Sequence, residues 1–128
     1  MKNYEIILLA QRNALNLDTT TLDSAHAYKV LKFRRAVQDA FKRLQEAEKD
    51  LIEQCKLTID EKGMIQGEEE SRKKFTELQG ELYKDEVVVE AKTLPYEQWH
   101  ELQKANKQLA DANVEDALEG VLWVAPEE

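Results

Sequence analysis

Glu97 and His100 stand three residues apart in a stretch that reads as helix. This is the Glu-x-x-His spacing with which carboxylate-bridged metal helices hold their ions. Such a centre takes a second copy of the motif and two further carboxylates, and His26, the other histidine, does not supply them. Too few ligands remain for a metal site, so the bland reading of Glu97–Glu101, a solvated helix face, is the expectation. Cys55 is the one thiol. Glu53 and Lys56 lie near it, but no histidine stands at helical spacing to take its proton, and a nucleophile needs such a base. A buried or half-buried side chain is expected instead. The chain has no glycine-rich phosphate loop, no HExxH and no GxSxG. No enzyme, no metal and no cofactor are expected.

A second constellation is electrostatic. Lys29, Lys32, Arg34, Arg35, Lys42 and Arg43 fall within fifteen residues, with Asp39 the one acid among them. After Lys107 the balance reverses: Asp111, Glu115, Asp116, Glu119, Glu127 and Glu128 follow with no Lys or Arg. The sharp reading of the six cations is a patch for nucleic acid or an acidic partner. The bland one is a solvated face that pairs with acidic segments of this chain or of a neighbouring subunit, and it is preferred. Trp99 and Trp123 are the largest apolar groups; both are expected in a core, or, if exposed, as contact anchors.

The element that must carry most of these residues is the run 22–57. Val30, Phe33, Val37, Ala40, Leu44, Ala47 and Leu51 step by alternating threes and fours, the spacing of a coiled-coil seam. Phe41, Ile52 and Cys55 widen it, and no proline or glycine interrupts it. Such a helix needs cover along one whole side. A first short helix over residues 3–16, capped by Asn3, turns Ile7, Leu8 and Leu15 to one side. Asp60-Glu61-Lys62-Gly63 between short apolar runs predicts a β-hairpin at the tip. Residues 68–84, with Phe75, Leu78 and Leu82, predict a returning helix that covers the distal half, Phe41 to Cys55, in antiparallel contact. The run Glu86–Ala91 around Val87-Val88-Val89 predicts a strand. Pro95 opens a further helix carrying Trp99, Leu102 and Leu109, Asn113 caps a last short one, and Val121–Val124 predicts a strand able to pair with Val87–Val89.

The fold class expected is therefore mostly α with minor α+β character. A long antiparallel helical hairpin bears a short β-hairpin at its tip and a small C-terminal helix/strand region. One domain is expected over 1–128, divided into 1–21 (helix and loop), 22–84 (hairpin) and 85–128 (strand–helix–strand). Charged residues make up 34% of the 128 and the net charge is −8, which argues against a dedicated nucleic-acid binder. The lone cysteine points to a reducing compartment. The apolar run Ile6–Ala10 is too short for a signal peptide, and no stretch approaches a membrane span. A soluble, cytoplasmic protein with no membrane contact is expected.

The ordered pieces resemble a family of small tailed-phage and prophage proteins known as a domain of unknown function. The similarity lies in Lys2-Asn3-Tyr4-Glu5-Ile6, Ala27-Tyr28-Lys29-Val30-Leu31-Lys32, Asp60-Glu61-Lys62-Gly63, and Phe75-Thr76-Glu77-Leu78 leading to Glu86-Val87-Val88-Val89-Glu90. It covers roughly the first three-quarters of the chain; Asp23 stands where the family pattern has proline after Leu22. The resemblance implies a phage-borne accessory or structural protein, in host cytoplasm or virion, and no catalytic residue. The leading expectation is a non-enzymatic interaction protein that meets a like subunit or another phage assembly protein through Val30, Phe33, Val37, Ala40, Leu44, Trp99 and Trp123. The alternative is a nucleic-acid-associated regulator using the basic patch.

Overall fold

The computed structural model describes residues 1–89 and 92–124. It is organised around α2, Ser24–Gln54, an unbroken helix of 31 residues and about 46 Å. Asp23 starts it: one carboxylate oxygen accepts from the His26 N–H at 2.9 Å, and the other lies 2.8 Å from His26 Nδ1. That satisfies a first-turn donor the helix leaves open. Val30, Phe33, Val37, Ala40 and Leu44 are buried, while Ala47 and Leu51 further along the same stripe are half-buried.

The helix ends at Cys55, and Lys56 takes a left-handed φ of 56° to turn the chain. Strands β1 (Thr58–Ile59) and β2 (Ile65–Gln66) pair antiparallel, Thr58 with Gln66 and Ile59 with Ile65. Gly63 supplies the φ of +79° that the turn requires. Helix α3, Glu69–Lys84, then runs back along the distal part of α2. Phe75 packs with Cys55 and Leu57, flanked by Leu51, Ile52, Ile65 and Leu78. The mostly helical class, the long hairpin and the small two-stranded sheet at its tip are thus as the spacing predicts.

The proximal half of α2 is covered by the chain itself. Helix α1 is Asn3–Gln11, shorter than the expected 3–16, because Asn13 adopts a φ of 54° and turns the chain. It buries Ile6 and Leu9, with Ala14 after the turn, rather than Ile7, Leu8 and Leu15. Asn3 is not its cap: the side chain is buried, and Nδ2 donates to the Leu82 carbonyl at 2.8 Å. Helices α4 (Tyr96–Ala105) and α5 (Ala112–Leu118), joined by a 3-10 turn over Lys107–Ala110, complete the cover. Asp111 caps α5, accepting from the N–H groups of Asn113 and Val114, so Asn113 is inside the helix. Trp99, Leu102, Leu109, Val114, Leu118 and Leu122 share one core with Ile6, Leu9, Phe33 and Val37.

The expected pairing of Val87–Val89 with Val121–Val124 is not formed among the described residues. Glu86 makes an isolated antiparallel bridge to Lys2, and the Val87 N–H donates to the Met1 carbonyl. Trp123 bridges Leu94 instead, whose N–H donates to the Leu122 carbonyl at 2.7 Å. Three β-branched residues favour an extended backbone, but the partner is chosen by which chain end lies alongside. The end of the predicted strand, Glu90 and Ala91, and the tail 125–128 lie outside the described residues.

Candidate interaction surface

Along α2 the apolar stripe and the exposed face have opposite fates. Val30, Phe33, Val37, Ala40 and Leu44 are at most 6% exposed, Trp99 is fully buried and Trp123 is 7% exposed. The two indoles stack with ring centroids 5.7 Å apart and planes 7° from parallel. Trp123 Nε1 donates to the Glu115 carbonyl at 2.9 Å; Trp99 Nε1 has no partner among the described residues. All seven predicted interface residues are therefore core of a single chain, which corrects the reading of an open stripe. The two segments that close it, around Ile6–Leu9 and Leu94–Leu122, flank the hairpin in sequence and fold back onto it.

The six basic residues do not form one patch. Lys29 lines a hollow with Pro95, Tyr96, Glu97 and Val124. Arg43 faces a separate cleft with Asn3, Leu82, Glu86 and Val88. Lys32 and Arg35 border a shallow depression of about 320 Å³ with Tyr28, Leu31, Ala36 and Asp39, on the side of α2 away from the core. Arg34 is half-buried and Lys42 exposed. One hundred degrees per residue separates cations spaced by one, two or nine positions, so a run crowded in sequence is spread around the helix. None of the six forms an ion pair among the described residues.

What the structure does bring together is Lys32, Arg35, Tyr28 and Leu31. Tyr28 is 60% and Leu31 51% exposed, although both are large and apolar-bodied. Lys32 Nζ lies 5.5 Å from the centre of the Tyr28 ring, a cation–π arrangement that holds both outward. Reading the seam overlooks Leu31, whose signal is its place one residue after Val30: it cannot share the buried stripe.

A second exposed surface lies at the far end of the hairpin. A hollow of about 510 Å³ is lined by Gln45, Glu48, Lys49, Ile52, Glu53 and Ile59. Ile59 is 56% exposed, and Met64 beyond it on the hairpin 61%. The turn beneath is held by Asp60, whose carboxylate accepts from the N–H groups of Lys62 and Met64 and from Gln66 Nε2. Those donors, the Met64 N–H first, hold the Asp60 carboxyl below its usual range.

The remaining chemical candidates stay apart. Glu97 and His100 are both exposed, with His100 edge-on to Tyr96 at 4.4 Å. No group of three or more metal-ligating side chains occurs among the described residues. Cys55 is buried against Leu57 and Phe75. Among the described residues no helix is long and apolar enough to cross a membrane. Compared with models of protein families, with curated proteins and with solved structures, the chain matches none.

Proposed function

We propose that this is a non-enzymatic structural protein that works by self-association, with α2 as the strut separating two contact ends. One observation carries the reading: exposed apolar side chains sit beside charge without an ion-pair partner among the described residues at one end of α2, and a hollow with exposed Ile59 lies at the other. Surfaces of that mixed kind, an apolar centre with a charged rim, are what protein partners cover. The buried seam plays no part in it; its job is to hold the strut to α1, α4 and α5.

A cytoplasmic setting suits the single reduced thiol, and a phage or prophage setting rests on the sequence resemblance. Nucleic acid is the weaker partner here, since the basic residues face several ways and the net charge is −8. Sedimentation velocity over a micromolar to submillimolar series, on nuclease-treated protein, tests the reading. A mass that climbs with concentration supports it; a monomer throughout overturns it. A gel shift that weakens steeply with salt in place of self-association supports the nucleic-acid alternative.

A further inference from the structure

We infer that copies join head to tail, Tyr28 and Leu31 of one chain entering the Ile52–Ile59 hollow at the hairpin end of the next. This rests on the self-association reading and names its two surfaces. The first argument is apolar match. Tyr28 and Leu31 stand out from α2 more than half exposed, and Ile59 borders a hollow of about 510 Å³ with Ile52. Joining them removes from water apolar surface that neither end covers alone.

The second argument is charge. Residues 28–43 hold six cations and one acid, whereas residues 56–70 at the tip hold five acids and two cations, and Glu48 and Glu53 line the hollow. Lys32 and Arg35 beside the entering side chains therefore meet carboxylates at the rim, with Lys49 the one cation lining it. Such complementarity fixes register and rejects wrong partners.

The third argument is geometry. Leu31 and the end of α2 are more than twenty residues apart on one unbroken helix, about 35 Å, so the two surfaces of a single chain cannot meet. Nor does the Tyr28 face suit itself: it carries Lys32 and Arg35 against the single acid Asp39, so pairing it with its own copy leaves an excess of like charge, which is costly. Two different patches make a heterologous contact, which continues into a ring or an open chain.

The test uses the full chain with either end blocked. Leu31→Asp leaves the hollow intact and Ile59→Asp leaves the Tyr28 face intact; both positions are about half exposed, so folding, checked by circular dichroism, is retained. Each variant alone should sediment as a monomer with at least about a tenfold loss of association, and an equimolar mixture should give a two-chain complex and nothing larger. The charge-reversed pair Arg35→Glu and Glu53→Lys supplies the same test without touching an apolar residue: each alone assembles poorly, the double variant regains assembly. If the wild type associates but both blocked variants associate equally well, the surfaces are wrong and self-association stands. Loss in Leu31→Asp alone, with assembly stopping at two chains, shows a symmetric α2 contact and overturns the head-to-tail arrangement. A monomeric wild type overturns both readings.

Discussion

Tyr83 Oη donates a 2.7 Å hydrogen bond to Glu48 Oε1, tying the end of α3 to the distal part of α2 across 35 residues of chain. Gln79 Nε2 donates to the same phenol oxygen at 3.0 Å. Beyond the Phe75 cluster, this polar link among the described residues helps to keep the two arms of the hairpin in register.

Removing it should loosen the hairpin without unfolding it. Tyr83→Phe is expected to cost about 1 kcal/mol, the usual worth of one such bond, read as a shift of the urea midpoint. Burial, and then the Glu48 carboxylate, push the Tyr83 phenol up to about 12 from 10.0. The folded value lies above the unfolded one, so this stabilisation is complete below pH 10 and is lost as pH rises toward 12. The gap between wild type and Tyr83→Phe should therefore narrow across that window, and a constant gap would count against the assignment.

Asn106 is 4% exposed and closes the proximal core from the side. Its Oδ1 accepts from the Asp18 N–H at 2.7 Å, while Nδ2 donates to the carbonyls of Asp18 and Leu102, each at 2.9 Å. Asn106→Ala leaves those partly buried backbone groups unpaired and should cost on the order of 3 kcal/mol, measured by chemical denaturation. Asn106→Asp turns a donor into a carboxylate facing two carbonyl oxygens and should be at least as damaging. Amide exchange should locate the loss between residues 17–23 and 102–110.

Since the seam is internal, a charge placed in it should unfold the chain and not merely dissociate it. Val37→Asp puts an unpaired carboxylate where no water reaches, a severe penalty unless the group is neutralised. Circular dichroism should show lost helix at every protein concentration. Phe33→Ala, milder, should cost about 3–5 kcal/mol through the cavity it leaves. A folded, monomeric Val37→Asp would show that the stripe is not core.

The hairpin tip should be acid-sensitive. Its donors keep the Asp60 carboxyl below the usual range, so its contribution is present above about pH 4 and is lost as pH falls through the folded value. The Met64 and Lys62 amide resonances should move together in that range, and Asp60→Ala should abolish the shared titration. Gly63→Ala, at a φ of +79°, should cost about 1 kcal/mol by backbone strain alone.

How far the chain was readable follows from what local spacing encodes. The stripe from Val30 to Leu44, the Asp60–Gly63 turn and the return of Phe75 onto the distal half of α2 are set by residues close in sequence, where 3.6-residue periodicity and turn chemistry act directly. The phase of α1 is not legible in the sequence because its nine residues are apolar on nearly every side, so no stripe stands out. Local spacing also could not say that Val87 would lie beside Met1, or that Leu94 and Leu122 would join Phe33 in one core. Any apolar segment satisfies a seam in principle. Which one does is settled by packing distant pieces together at crystal-like density. That same packing turned Val30–Leu44 from a sticky edge into a core, and left Tyr28, Leu31 and Ile59 among the apolar groups facing water, with Tyr4, Met64, Val88 and Val124.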